Sequence, residues 1–413
     1  MSSSTQQKTR RGLNIKTFSA LKYADFRRLW LSGIGSGFGQ QAEQITRSWL
    51  ILQLTGSAAA VGLSFVTRAV GQLAIVPMAG VLADRIDRRF ILMAADGINA
   101  AFFFLLGMLV VTDHIATWEV VASATIAGAA ISVQQTMRQA VIPNIVPKEG
   151  IMNAAALSSV MIGTSRIMGP ALAGFMIKLF GVSGSYFMLS GVLLLPISMY
   201  LMMKPIKVAA GEGEGFFKSL AGGFKFGIHN PAVRVVFIIN LFTITLALPF
   251  LLMLPVYVKE VLKMGPGTLG LLISLPGFLT LVGGMFAASI GDYKYKGRMI
   301  FAACLSPCVA AIILSQTSML WVAFIAVSIH GLLSPQYMAA AQSAVMKSTP
   351  REMQGRAASL VTISGGLGSV GVVLYGLVSD AWGIQTALLL FGSICVVTNT
   401  TYFITAREFR HLS

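Results

Sequence analysis

Twelve apolar runs of about twenty residues, joined by short polar connections, constrain this chain more than any other feature. Each run has the length a helix needs to cross about 30 Å of hydrocarbon. We place spans at 27–53, 57–82, 89–111, 118–142, 150–179 and 184–203, and a second set at 232–258, 267–290, 298–315, 319–345, 357–379 and 384–405. Backbone groups in lipid must be satisfied within their own segment, so helices are predicted. The short alternating segments of a membrane β-barrel are absent. Composition agrees. Only 11% of the 413 residues are charged and 55% are hydrophobic, whereas a soluble chain carries about a quarter charged residues. The expected fold class is an all-α membrane protein with twelve transmembrane helices in two six-helix bundles.

The net charge of +16 raises the question of nucleic acid, but no arginine-rich arm or aromatic-basic interleaving appears, and no nucleic-acid partner is expected. The charge instead follows topology. Basic residues precede span one (Lys8 to Arg28) and follow spans two (Arg85, Arg88, Arg89) and four (Lys148). They then fill the connections six–seven, eight–nine and ten–eleven, and end the chain. The opposite connections hold little beyond Lys178, Lys259 and Lys263. Basic loops stay in the cytoplasm, so both termini are expected there. The polar N-terminus lacks the apolar core of a cleavable signal, and span one is expected to act as an uncleaved insertion signal. Cys304, Cys308 and Cys395 all lie in apolar segments. An odd, buried count argues against a disulfide framework, and no metal or other cofactor is expected.

The longest interruption divides the chain. Residues 1–26 form an N-terminal segment, 27–203 a first bundle, 204–231 a linker, 232–405 a second bundle and 406–413 a tail. The linker carries Phe216, Phe217, Phe224 and Phe226 among lysines and reads as an amphipathic segment on the inner leaflet. The halves echo each other: VGLSFVTRAVGQLAIVPMAGVLAD, ending at Asp84, aligns without gaps with LGLLISLPGFLTLVGGMFAASIGD, ending at Asp292. Related six-helix halves around a midplane site are a transporter pattern.

GVLADRIDRR, residues 80–89, packs five charges into six positions. It resembles the signature loop between helices two and three of the major facilitator superfamily, with Asp87 where glycine is usual. The two-aspartate variant is similar to the branch of enterobactin, macrolide and multidrug exporters. FRRLWLSGIGSGFGQQ, WLILQLTGSAAAVGL, MRQAVIPNIVPKEGIMNAAAL, RIMGPALAG and PREMQGRAASL resemble further stretches of that branch, over residues 20–405. The resemblance implies a bacterial inner-membrane exporter, expected to work as a monomer. It also implies a cytoplasmic gate in which Asp84 caps a neighbouring helix and Arg85, Arg88 and Arg89 bridge to the other half, with Gly80 allowing close approach and Asp292 as the counterpart. The alternative is that these arginines only enforce orientation. Gly169, Pro170 and Gly174 resemble the helix-five motif of family antiporters, with Ala173 in place of a glycine; the alternative is ordinary close packing.

Ionisable groups inside a span are costly and usually functional. Glu43 and Arg47 lie four residues apart on one face of span one, with Gln40, Gln41 and Gln44 beside them. Arg68 and Gln72 fall in span two and Arg166 in span five. Glu43 is a candidate for proton exchange during transport, for a permanent ion pair with arginine, or for substrate contact. Asp96 and Arg138 lie nearer the cytoplasmic end and suit a gate. His330 in span ten is either a packed core histidine or a coupling group. No Walker loop or nucleophile–base constellation appears, so neither ATP-driven export nor enzymatic activity is expected. The leading reading is a proton-coupled exporter of a siderophore or amphipathic drug-like compound. A nutrient importer of the same fold and a non-transporting membrane sensor or assembly partner remain as alternatives. The expected partners are the bilayer, a small-molecule substrate and protons.

Overall fold

A single glycine breaks the helix between the fifth and sixth predicted spans. The helix Ile151–Val192 (α5) runs through both, and Gly181 interrupts it at φ 71° and ψ −177°. Glycine enters that backbone region far more readily than other residues, so the chain reverses there between two apolar limbs. The computed structural model describes residues 18–206, 231–290, 296–347 and 354–405.

The first half holds α1 (Ala24–Thr55), α2 (Ala58–Arg85), α3 (Arg88–Val111), α4 (Thr117–Ile145), α5 and a short α6 (Leu194–Leu201). The second holds α7 (Pro231–Phe242), α8 (Pro249–Leu252), α9 (Leu254–Glu260), α10 (Pro266–Ile290), α11 (Lys296–Ser315), α12 (Leu320–Lys347), α13 (Gln354–Trp382) and α14 (Ile384–Thr405). Helix therefore covers each of the twelve predicted spans. Among the described residues, seven stretches are long and apolar enough to cross a membrane, and a bent pair makes an eighth. α1 is not among the seven; its middle carries Gln40, Gln41, Glu43, Gln44 and Arg47. The bent pair is the seventh predicted span. A π turn at Thr243–Ala247 precedes α8, and residues 237–252 meet 254–260 at 42°. Such turns locally widen the helical ladder.

Packing sorts the helices into two groups. α1 lies on α5, α2 on α4, and α3 on both α4 and α5; in the second group α12 packs on α10 and α11, and α14 on α11 and α13. The groups join along α5 with α10 and α2 with α13. One buried cluster runs through both, from Trp49, Phe65 and Tyr186 to Phe250, Tyr257 and Tyr375. α1, α3 and α5 start, and α2 and α4 finish, at the end of the molecule where the basic connections lie. We call it the basic end and its opposite the distal end. The linker's residues 207–230, Asp292, the N-terminal 1–17 and the tail 406–413 lie outside the described residues.

Candidate functional site

Helical spacing brings Glu43 and Arg47 to one face of α1, and the packing of α2 brings Arg68 to the same carboxylate. Arg47 Nε donates to Glu43 Oε1 at 2.6 Å and Arg68 Nη1 donates to Glu43 Oε2 at 2.6 Å. Arg47 also donates to Ser64 Oγ and lies over the Phe65 ring, 5.0 Å from its centroid. Glu43 is 1% exposed and Arg47 is fully buried. One carboxylate thus serves two guanidiniums, leaving one positive charge in excess. Arg47 Nη2 and the Tyr186 hydroxyl have no hydrogen-bond partner among the described residues. A buried ion group offsets its desolvation only when its geometry is good and its remaining donors are satisfied. This one is short of acceptors, and Glu43 is the only carboxylate within ion-pair distance of either guanidinium among the described residues.

A second buried carboxylate lies toward the basic end. Asp96 on α3 accepts from Ser36 Oγ at 2.7 Å, Gln134 Nε2 at 2.7 Å and Tyr200 OH at 3.3 Å. Gln40 Nε2 donates to Gln134 Oε1 at 2.6 Å. Arg138 reaches this network through Ser36 Oγ at 3.1 Å and the Tyr200 hydroxyl, rather than pairing with Asp96 directly. Its other nitrogen donates to the Leu29 carbonyl at 2.8 Å. Asp96 and Arg138 therefore tie α1, α3, α4 and α6 together inside the first group.

Beside this network lies a cavity of about 420 Å³, on the basic-end portions of α1, α4 and α5. Its described walls combine amides (Gln41, Gln135, Gln139), apolar groups (Trp30, Met161) and two cations, Arg138 and Arg166. Arg166 is exposed, and no carboxylate lies within ion-pair distance of it among the described residues. Of the four ionisable candidates near the middle of their spans, three form the Glu43 group and Arg166 stands apart in the cavity. Gln44 and Gln72 are half-buried on α1 and α2. His330 lies in the other group, its Nδ1 3.0 Å from Ser306 Oγ and its ring edge-on to Phe250.

The signature loop bonds within the first group. Asp87 caps α3, accepting from the Arg89 amide at 3.1 Å and from Arg89 Nε at 2.9 Å. Arg89 Nη1 donates to the Met203 carbonyl at 2.8 Å, and Arg88 Nη1 to the Ala140 carbonyl at 2.7 Å. The resemblance implies arginines reaching across to the other half. Here the aspartate that replaces the usual glycine holds Arg89 to its own helix start, while Arg85 is exposed. The side chains of Gly80 and Asp84 lie outside the described residues, although both fall in α2.

The helix-five motif is a joint with two sides. A Cβ on Gly169 would stand 2.6 Å from Gln41 Cβ on α1; one on Gly174 would stand 2.4 Å from the Pro266 carbonyl oxygen and 2.9 Å from Gly270 Cα on α10. Pro170 sits between them inside α5, its carbonyl oxygen 2.6 Å from the position a Cβ of Gly270 would take. Small residues thus let one helix seat against a neighbour in each group.

Residues 15–410 match the family described as transmembrane secretion effector. The chain belongs to this family of the major facilitator superfamily. It is a multi-pass membrane transporter and not an enzyme. It is 23% identical over 383 residues to the staphyloferrin A transporter of Staphylococcus aureus, covering 89% of this chain and 92% of that one. It is 21% identical over 374 residues to the multidrug efflux pump Tap of Mycolicibacterium fortuitum, covering 87% and 90%. In fold it is similar to the nucleoside transporter NupG, with a TM-score of 0.78 and 12% identity over 93% of this chain and 100% of that one.

For a transporter the distal end is as informative as the cavity. There the second group clasps the turn between α1 and α2. Asp380, at the end of α13, accepts from Ser57 Oγ at 2.5 Å, the Ala58 amide at 2.6 Å and the Ala59 amide at 3.1 Å. Lys259 Nζ donates to the Leu52 carbonyl, at the end of α1, at 2.7 Å. An anion thus meets a helix N-terminus and a cation a helix C-terminus, as the helix dipoles favour. Sequence reasoning did not single out Asp380 or Ser57, and it counted Lys259 only as an exception to the charge rule. The available signals were a serine after a glycine at a helix start and a lone aspartate at the end of span eleven. Ser36 and Tyr200 were missed because their importance depends on which helices meet.

Proposed function

We propose that this transporter is a proton-coupled exporter of an anionic, oxygen-rich amphipathic compound of the siderophore class, working by alternating access in a bacterial inner membrane. The observation that carries this reading is the unpaired Arg166 guanidinium in an amide-lined cavity, where it offers a carboxylate or catecholate an ion partner. The basic end faces the cytoplasm in this reading. A cavity at that end and a clasped distal end together make an inward-facing arrangement, ready to load from inside. Glu43 takes the coupling proton. Both of its oxygens are paired with arginine in this state, and protonation would release Arg68 and let α1 and α2 part. Closing the basic end in the alternate state falls to Gly80, Asp84 and Arg85 with Asp292. The joint made by Gly169, Pro170 and Gly174 keeps α5 on α10 while the groups rock. The relationship to the staphyloferrin A transporter supports the siderophore class. Trp30, Phe26 and Met161 in the cavity wall, with the relationship to a multidrug efflux pump, favour a second reading in which the substrate is drug-like.

The test is uptake into inverted vesicles under an acid-inside gradient, with staphyloferrin A, enterobactin and erythromycin as probes. Gradient-driven uptake of an anionic siderophore is expected. Glu43→Gln should abolish the response to the gradient. Arg166→Gln should raise KM for the anionic probe about tenfold, equivalent to ~1.4 kcal/mol of binding. Uptake of erythromycin alone selects the drug-like reading. Uptake only in right-side-out vesicles makes the protein an importer, and no uptake in either orientation leaves the sensor or assembly role.

A further inference from the structure

Between the Glu43 group and the Asp96 network lies a small enclosed cavity that neither network uses. Its volume is about 10 Å³, and its polar walls are Ser36, Gln40, Glu43, Arg68, Asp96 and Asn99. That volume is at the lower end of the ~10–15 Å³ that holds one water. A second observation points to an occupant. Asn99 is 3% exposed, and its side-chain carbonyl oxygen has no hydrogen-bond partner among the described residues. A buried acceptor left unmatched is destabilising unless water satisfies it. A water here can donate to Asn99 Oδ1 and to a carboxylate while Arg68 donates to it, giving the two to four polar partners a buried water needs.

We propose that Asn99 holds a water that links Glu43 to Asp96, and that Asp96 is the exit relay by which the Glu43 proton reaches the basic-end cavity. The inference rests on the reading of Glu43 as the coupling site, and it names the path that this site requires. Arg47 and Arg68 hold both oxygens of Glu43, and neither guanidinium can carry the proton onward. Asp96 is placed for the next step. Ser36, one of its donors, walls both the small cavity and the large one, and Gln134, another donor, walls the large one. Along α1, Ser36 is seven residues before Glu43, about 10 Å nearer the basic end at 1.5 Å per residue.

The transfer balances as a chain of O–H exchanges. Glu43 gives its proton to the water, the water gives one of its own to Asp96, and Asp96 passes one to the Ser36 hydroxyl, which gives its own to water in the large cavity. One proton crosses and every other group is restored. A donor and acceptor bridged by a single water are within the reach that proton transfer requires. The surrounding charges fit the direction. Glu43 faces Arg47 on its own helix, Arg68 from α2 and Tyr186 from α5; Asp96 faces Arg138 from α4 and Tyr200 from α6. Once Glu43 has lost its proton, the two arginines close on it, as in this structure, and hold back its return. Asp96 carries the proton and Asn99 is a positioning residue in this scheme; neither is asked to touch the substrate.

The experiment follows the proton itself. Purified protein in lipid is given a pH jump, and the Glu43 carboxyl band, assigned by its loss in Glu43→Gln, is followed by time-resolved infrared spectroscopy. Asp96→Asn and Asn99→Leu are each expected to slow deprotonation about tenfold, which is ~1.4 kcal/mol of barrier. Asp96→Glu should restore the rate. Asn99→Leu removes the water's anchor while leaving every hydrogen bond of Asp96 in place, so it reads the relay even where Asp96→Asn folds poorly. A Glu43 band that decays at the natural rate in both variants overturns the relay and leaves Glu43 as the coupling site. If no band titrates with Glu43, the coupling reading falls, and the relay falls with it.

Discussion

The two helical groups share an architecture but place different chemistry at their centres. In the first, the buried polar groups are ionic: Glu43 between Arg47 and Arg68, and Asp96 two hydrogen bonds from Arg138. In the second, the described ones are neutral partners. His330 meets Ser306, Tyr337 bonds Asn240, and Asn399 Nδ2 lies 3.4 Å from Thr243 Oγ1. Neutral hydrogen bonds keep their pattern when the pH or the local field changes, whereas a carboxylate shared by two guanidiniums does not. In the proposed mechanism the moving charge belongs to the first group, and the second is the frame against which it works.

The sharpest way to break this comparison is to remove the shared carboxylate. Glu43→Ala strands two guanidiniums, one fully buried, and removal of one partner from a buried ion pair costs about 3–5 kcal/mol. We expect a large drop in the thermal unfolding midpoint of the purified protein. The double change Glu43→Ala with Arg68→Ala should recover part of it, because one stranded charge goes with its partner. A midpoint unchanged by Glu43→Ala would mean that the ionic centre contributes nothing, and the two groups would then be alike.

Much of this contrast was legible before any coordinates. Glu43 and Arg47 are four residues apart, and helical geometry alone puts them on one face. Helix covers each of the twelve apolar runs, and seven or eight of those stretches among the described residues are long and apolar enough to cross a membrane. Choosing between Arg68 and Arg166 as the partner was beyond the sequence, because both are cations near the middle of a span. Packing decides it: α2 turns Arg68 toward α1, while Arg166 faces the cavity. Gly181 was hidden for a similar reason, as one of 42 glycines with nothing local to mark its positive φ. Lys259 is 207 residues from Leu52 and Asp380 is 322 residues from Ala58, and their roles exist only when the two groups meet.

A smaller effect is expected where the groups touch. Asp380→Asn keeps the size of the side chain but weakens the cap on α2, a change of about 1 kcal/mol for a typical helix cap. That is roughly a fivefold shift in a two-state balance. Because the cap joins the two groups only when the distal end is closed, the shift should favour distal-open molecules. Spin labels at the distal ends of α2 and α13 should report longer distances, with little change in the unfolding midpoint. Equal distance distributions in Asp380→Asn and the natural chain would show that the clasp follows closure without contributing to it.

The smallest effect is expected at the one imidazole buried in the second group. His330 is 6% exposed, hydrogen-bonded to Ser306 and edge-on to Phe250. It has no carboxylate within ion-pair distance among the described residues. His330→Asn keeps a polar atom for Ser306 and loses mainly the ring contact, which is worth about 0.5–1.5 kcal/mol in comparable aromatic pairs. Transport into inverted vesicles should keep its dependence on pH, with only a modest loss of stability. Glu43→Gln in the same assay should lose that dependence. If His330→Asn flattened the pH response as Glu43→Gln does, the second group would carry a titrating charge of its own. The division between a switching half and a framing half would then fail at its weakest point, since His330 is the only buried imidazole of that group among the described residues.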